Sequence, residues 1–353
     1  MKKAIALQIT DTHLSINNID LVISIFKQAV DICKKENIKI LIHLGDWFNN
    51  RQGQPDYLLV IHQEIIRLFE EAKIIILTKA GNHDRTDLDS WYSYITVFNS
   101  DYFKVVDGHD GRYRVMLQKG IYGHFLPFFK SDKYLEQLAI LKKDIVKGEK
   151  NICFTHIGVN GVKNNDGSKV EGRITQDLFK EFDATFIGHY HDSSELPNSI
   201  KYIGSAYQAN YGERIDDKGF HLLYNDCSTK FIPSKFPKFI KIKINASDKT
   251  EIQNALELYS DKKYENDNIR FLFFGKQTDI DKIKNDLSKF TEAGIEVKTE
   301  TEEQEENMNK IINDEFIEFN SKTIKKEFIQ YCVNNKIPSD KRKFMLDILN
   351  DTL

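Results

Sequence analysis

The chain has 353 residues, 41% of them hydrophobic and 12% aromatic. That supplies enough apolar side chain for a sizeable core, excludes a globally disordered chain, and predicts two domains or one domain with an appendage. Lysine and arginine number 50 against 53 aspartates and glutamates, for a net charge of −3, so no overall basic field holds nucleic acid by itself. The cysteines (Cys33, Cys153, Cys227 and Cys332) are scattered without a CxxC pair. This excludes a disulfide framework or zinc ribbon and predicts a reducing, cytoplasmic setting. No apolar run reaches the ~18–20 residues of a spanning helix, and the run Ala4 to Ile9 is too short for a secretory signal.

In chain order, Ala4 to Ile9 reads as a buried strand that ends in Thr10-Asp11-Thr12-His13. Ile19 to Lys35 has apolar residues at helical spacing, from Leu21 and Val22 through Ile25, Phe26 and Ala29 to Ile32 and Cys33. Ile38 to Leu44 is a second buried strand, followed by Gly45-Asp46, and Tyr57 to Ala72 a second amphipathic helix. Ile74 to Leu77 is a third strand, followed by Gly81-Asn82-His83-Asp84. Strands alternating with helices predict an α/β sheet with parallel pairs. Further strands are expected at Gly120–Gly123, Asn151–Thr155, Ala184–Ile187 and Ser199–Ile203. Beyond the prolines Pro233 and Pro237, a βαβαβ unit of strands Phe239–Ile244, Ile269–Phe274 and Ile295–Lys298 with helices Lys249–Tyr259 and Asp279–Phe290 is expected as a small α+β domain. Six glutamates between Glu296 and Glu306 suggest a solvated linker, and Lys322–Asn334 and Ser339–Leu349 read as two helices broken by Pro338.

The chemistry gathers where these strands end. Asp11 and His13, Asp46, Asn82 with His83 and Asp84, His156, and His189 with His191 all follow the carboxyl end of an expected buried strand, the edge where open α/β sheets place ligand sites. The donors are oxygens and imidazoles without a thiolate, which suits manganese, iron or zinc. They are too many for one ion. Two ions about 3.5–4 Å apart, bridged by one carboxylate, use them all and can activate a water against a phosphate. Gly45, Gly81 and Gly188 allow sharp turns and close backbone approach beside the ligands. His43, His62, His109, His124 and His221 are read as ordinary core or surface histidines, His124 keeping a small chance of a substrate role.

The ordered set DxH, GD, GNHD, H and GHxH resembles the calcineurin-like metallophosphoesterases. The resemblance implies a sandwich of two mixed β-sheets flanked by helices. It implies a first metal on Asp11, His13 and His191, a second on Asn82, His156 and His189, and Asp46 as the bridge. His83 is expected to contact phosphate and help the leaving group, with Asp84 orienting it. Leu44-Gly45-Asp46-Trp47-Phe48, then Tyr202-Ile203-Gly204-Ser205, Gly212-Glu213 and Lys218-Gly219-Phe220, resemble the SbcD/Mre-type nuclease subunits and their tailed-phage relatives. That likeness covers residues 1 to about 225. It departs at Asn49, where many members carry a histidine.

The resemblance implies a DNA exonuclease or endonuclease acting in recombination, repair or replication with two divalent ions, manganese first and magnesium, iron or zinc as alternatives. The implied partners are DNA and an SMC-like ATPase of the SbcC type, with a possible second copy of the chain and no membrane. The setting is the cytoplasm, or the host cytoplasm for a phage protein. Asn49, Arg51, Arg85 and His124 are the expected substrate contacts, and Arg214 is a further candidate cation. The expected domains are a nuclease domain over 1–235, a capping, DNA-binding domain over 236–300, an acidic linker over 301–320 and an ATPase-binding helical hairpin over 321–353. Two alternatives stand beside this reading. One is a stand-alone phosphodiesterase or phosphatase on the same core. The other is a metal-free scaffold, against which the complete ligand set argues.

Overall fold

A computed structural model describes residues 2–163, 169–260, 267–283 and 296–301. The expected C-terminal hairpin over 321–353 and the linker beyond residue 301 lie outside the described residues. The chain divides into two compact units, one of residues 1–241 with 262–269 and one of 242–261 with 270–353.

The first unit holds two six-stranded mixed sheets. The first sheet contains β1 (Ala4–Ile9), β2 (Ile40–His43), β3 (Ile75–Thr78), β4 (Phe103–Val105), β11 (Gly219–Tyr224) and β12 (Thr229–Pro233), in the order β12-β11-β1-β2-β3-β4. β1 to β4 run parallel, while β11 runs antiparallel to β1 and to β12. The second sheet contains β5 (Arg114–Gln118), β6 (Ile121–Leu126), β7 (Lys150–His156), β8 (Ala184–Gly188), β9 (Ser194–Leu196) and β10 (Ile200–Tyr202), in the order β5-β6-β7-β8-β10-β9. β6, β7, β8 and β10 are parallel, with an antiparallel strand at each edge.

Alternation along the strands sorts the side chains into layers. Ile42, Leu44 and Leu77 from the first sheet meet Phe125, Ile152, Phe154 and Phe186 from the second in one cluster between the sheets. Their neighbours Leu41 and Ile76 point the other way, onto helices α1 (Ile19–Lys35) and α2 (Asp56–Glu71). Helix α1 buries Val22, Ile25, Phe26, Ala29, Val30 and Cys33, the face its sequence spacing predicts. Each large side chain buried there contributes about 1.5–3 kcal/mol. On the far face of the second sheet, Cys153 and Ile187 pack with Tyr134, Leu138 and Leu141 of α3 (Ser131–Leu141). The fold is therefore two mixed sheets with flanking helices.

The smaller sheet has the order β13-β14-β15 (Phe239–Asn245, Asn268–Gly275, Glu296–Thr301), accompanied by α4 (Lys249–Ser260) and α5 (Gln277–Lys282). β15 runs parallel to β14 and pairs Glu296 to Thr301 with Arg270 to Gly275, so the glutamate-rich stretch begins as a strand rather than as linker. Within the first unit, Gln208 clamps Phe239, accepting from its N–H at 2.7 Å and donating to its carbonyl at 3.1 Å.

Candidate metal centre

Five strand ends converge on one edge of the sandwich. The loops after β1 and β2 are zipped together by backbone bonds: Asp11 N–H donates to the Gly45 carbonyl, His13 N–H to that of Asp46, and Leu14 N–H to that of Trp47. The backbone at these strand ends is unusual. Asp11, His13, Asp46 and His189 all have positive φ, at 53°, 42°, 58° and 94°. Non-glycine residues hold that region at a cost of about 1–3 kcal/mol each, and such residues cluster at functional sites. The expected close approach is real at Gly81, where an added Cβ would lie 2.1 Å from Asp46 Oδ1. At Gly188 it would lie 2.3 Å from Thr10 Oγ1.

The expected donors come together in two groups. Asp11, His13 and His191 have ligand atoms within 4.8 Å of one another, as do Asp46, His156 and His189. Asn82 Oδ1 faces the second group, 3.1 Å from His156 Nε2 and 2.9 Å from His189 Nδ1. His156 Nδ1 donates to the Leu44 carbonyl at 2.7 Å, so the lone pair on Nε2 faces Asp46 Oδ2 at 3.2 Å and the Asn82 oxygen. Three acceptors converging in a buried site call for a cation. In the first group, His13 Nε2 and His191 Nε2 face each other at 3.1 Å. The donor set thus fits two divalent ions of the oxygen- and nitrogen-loving kind.

The electrostatics divide the four histidines: against the effect of burial, the carboxylates Glu213 and Asp11 raise the pKa of His191. Burial, reinforced by neighbouring imidazoles, pushes the pKa of His13 and of His189 down to about 4, keeping both rings neutral ligands. His156 is opposed by burial, but Asp46 and Asp11 raise it above the ordinary histidine value. Burial likewise works against ionised Asp46, yet His156 and His13 hold it well below the usual carboxylate range.

His83 sits beside the donors, its ring 4.8 Å from that of His13. The residue that orients it is a different one from the sequence expectation. His83 Nδ1 donates to the Asn49 carbonyl at 2.5 Å, and Arg51 Nη2 lies 3.3 Å from Nε2. The Asp84 carboxylate instead accepts the N–H groups of Asp46, Trp47, Phe48 and Gly81 at 2.8–3.2 Å. It fixes the loop that carries Asp46, because a carboxylate offers only acceptors and four backbone donors surround it.

Asn49 and Arg51 line the cavity over the donors. Arg85 and His124 do not. Arg85 is buried, donates to the Ser90 and Phe128 carbonyls and lies over the Phe129 ring. His124 is buried on β6 and bonds Asn151 Oδ1. Packing took both from the surface, which charge and position in the sequence do not reveal. Arg214 is tied to Asp192 and Asp217.

Three structural residues of the site carry no signal at ligand spacing. Glu213 Oε1 accepts from His191 Nδ1 at 2.8 Å. Buried Lys79 donates to the same Leu44 carbonyl as His156. His43, read as ordinary core, stacks on Trp47 at 3.8 Å, meets Thr12 Oγ1 and accepts from Gly45 N–H.

A model of the calcineurin-like phosphoesterase family matches residues 6–193. The chain belongs to the calcineurin-like phosphoesterases. Exonuclease subunit 1 of Enterobacteria phage T4 is 25% identical over 245 residues, covering 65% of this chain and 67% of that protein. The SbcD component of the SbcCD nuclease of Staphylococcus saprophyticus is 23% identical over 277 residues, covering 68% of this chain and 70% of that protein. A dimetal phosphatase from Danio rerio is similar over 56% of this chain and 85% of its own, with a TM-score of 0.38 and 10% identity. The metallophosphoesterase fold binds divalent metals, and the two donor groups are where this phosphoesterase can hold them. No helix among the described residues is long and apolar enough to cross a membrane.

Proposed function

We propose that this phosphoesterase is a metal-dependent DNA nuclease, the hydrolytic subunit of a complex with an SMC-like ATPase. The observation that carries the reading is the cavity over the metal donors. Its volume is about 1260 Å³, and it continues from His13, Asp46 and His83 past Ile16, Tyr57 and Tyr207 to Lys235 and Phe239. A site for one phosphate needs far less. Aromatic and apolar walls beyond the reacting centre suit a strand of bases, which stack on such side chains whatever their sequence. The names of both relatives, each a subunit with nuclease or exonuclease activity, support the reading.

Asp11, His13 and His191 would hold one ion, Asn82, His156 and His189 the other, with Asp46 facing both. Bound there, two ions neutralise phosphate charge and lower the pKa of water to make a nucleophile. The chain supplies the rest. His83, fixed by the Asn49 carbonyl, presents Nε2 to the cavity; once Arg51 leaves that nitrogen for the phosphate and the ring takes a proton from solvent, Nε2 delivers it to the leaving oxygen. Arg51 pairs with the scissile phosphate from the same rim. Among the described residues the cations lining the cavity are Arg51 and Lys235, so affinity for DNA comes mainly from the metals and the ATPase. The small second domain contributes to DNA binding, and the segment over 321–353 binds the ATPase. Manganese is the activating metal and the cytoplasm the setting.

The test is hydrolysis by the full chain with manganese, comparing end-labelled single- and double-stranded DNA with bis(p-nitrophenyl) phosphate and p-nitrophenyl phosphate. Mononucleotide or oligonucleotide release from DNA is expected, with an increased rate when the ATPase is present. Turnover of the small esters with intact DNA would favour the stand-alone phosphodiesterase or phosphatase.

A further inference from the structure

Glu213 is far from the ligands in sequence, and its side chain is only 6% exposed. Its side chain has four partners among the described residues, and all of them donate. Oε1 accepts from His191 Nδ1 at 2.8 Å and from Asn210 Nδ2 at 3.1 Å. Oε2 accepts from Ala209 N–H at 3.1 Å and lies 3.4 Å from Lys218 Nζ. Only an ionised carboxylate satisfies four donors, because an amide would point its own NH2 at two of them whichever way it turned. The hydrogen on His191 therefore sits on Nδ1, and the Nε2 lone pair points to His13 and the metal position.

Lys218 closes this arrangement from the other side. Its side chain is fully buried; Nζ donates to the His191 carbonyl and lies 3.1 Å from Asp192 Oδ1. One cation thus ties together the carboxylate and the backbone of the histidine that the carboxylate aims. Among the described residues, no carboxylate plays this part for His156 in the second donor group. There, His156 Nδ1 donates to the neutral Leu44 carbonyl, which Lys79 Nζ also engages. An imidazole hydrogen-bonded to a carboxylate is a stronger ligand than one bonded to a carbonyl.

We propose that Glu213, acting through His191, is a positioning residue that makes the two metal positions unequal and sets the affinity of the one built from Asp11, His13 and His191. The inference rests on the two-ion reading under Proposed function and on neither DNA nor the ATPase. Its test uses the full chain and manganese alone. Calorimetric titration counts the ions and their affinities, and low-temperature electron paramagnetic resonance detects the spin-coupled pair. The wild type binds two ions. Glu213→Gln keeps one at wild-type affinity and binds the other about 10–100-fold more weakly. Its coupled-pair signal disappears at manganese concentrations that saturate the wild type.

Glu213→Asp, which retains the charge, recovers part of the lost affinity at that one position. Should Glu213→Gln not fold, the aspartate variant is read by itself, and the inference requires its weakening to fall on one ion only. Nitrogen NMR of the metal-free protein adds a direct signature, a shift of the His191 hydrogen away from Nδ1 in Glu213→Gln. Two ions bound at wild-type affinity in a folded Glu213→Gln, or an equal loss at both, overturns the inference. A wild type that binds fewer than two ions overturns it together with the two-ion reading. A chain that shows the unequal loss but leaves DNA intact removes the nuclease proposal alone.

Discussion

The histidines at the sheet edge and those inside the sandwich show how one side chain serves opposite ends. At the edge, His13, His156, His189 and His191 turn ring nitrogens toward one another or toward carboxylate and amide oxygens, on backbone held partly at positive φ. Inside, His62 is fully buried among Trp47, Phe48, Phe98 and Phe103, and neither of its ring nitrogens has a hydrogen-bond partner among the described residues. Both groups are buried. The difference lies in what faces the nitrogens: acceptors that call for a cation at the edge, and aromatic carbon in the core.

The sharpest way to break the comparison is Asp46→Ala, since Asp46 faces both donor groups. Both ions are expected to be lost, a larger effect than the ~10–100-fold affinity loss of an outer residue, and hydrolysis with them. The metal-free chain keeps its fold because Asp46 stands at the edge. Metal analysis finding two ions in this variant would refute the bridge.

Next comes His83→Ala, which is expected to keep both ions and lose about 10²–10⁴-fold in turnover, the usual worth of a positioned acid or base. Single-turnover rates with metal content measured in parallel check this. Metal loss at an unchanged rate per bound ion would make His83 a ligand instead.

Asp84→Asn separates the two accounts of that residue. Four backbone amides converge on its carboxylate, so an amide there leaves donors facing donors. The metal-free variant should lose about 1–3 kcal/mol or more in denaturant unfolding. A residue that served only to orient His83 would cost turnover and leave stability unchanged.

Much of the edge was legible because ligands follow buried apolar runs. Ile40–His43 ends at Gly45-Asp46 and Ile75–Thr78 at Gly81-Asn82-His83, where a change from apolar to small and polar marks the strand's exit. What hid was long-range. Glu213 reaches His191 across 22 positions that include the two short strands β9 and β10, a separation that no local periodicity marks. β11 joins β1 from the far end of the unit, because strand order within a sheet leaves no local mark in the sequence. Arg85 misled because a charge beside GNHD reads as a substrate contact, while its stacking over Phe129 depends on tertiary packing.

His62→Phe addresses the core side of the comparison and carries the smallest effect at neutral pH. Burial pushes the His62 pKa from its ordinary 6.5 down to about 3. The unfolded chain therefore takes up a proton near pH 6.5 that the folded chain refuses until about pH 3. In that window the unfolded state binds more protons, so stability rises with pH. The His62 contribution is fully present above about pH 6.5 and is lost as the pH falls toward 3, at up to ~1.4 kcal/mol per unit. Phenylalanine fits the aromatic surroundings and cannot be protonated. At pH 7 the variant should match or exceed the wild type, since two unpartnered nitrogens are gone. At pH 5 its advantage should widen by about 2 kcal/mol, the share of that slope between 6.5 and 5. Urea unfolding of the metal-free proteins at both pH values measures the difference directly. The edge histidines His13 and His189 still give the variant some acid sensitivity, so its slope should shrink and not vanish. An acid limb that superposes on the wild type would mean that His62 finds a partner or a proton in the folded state, and the contrast between core and edge would fail at its simplest member.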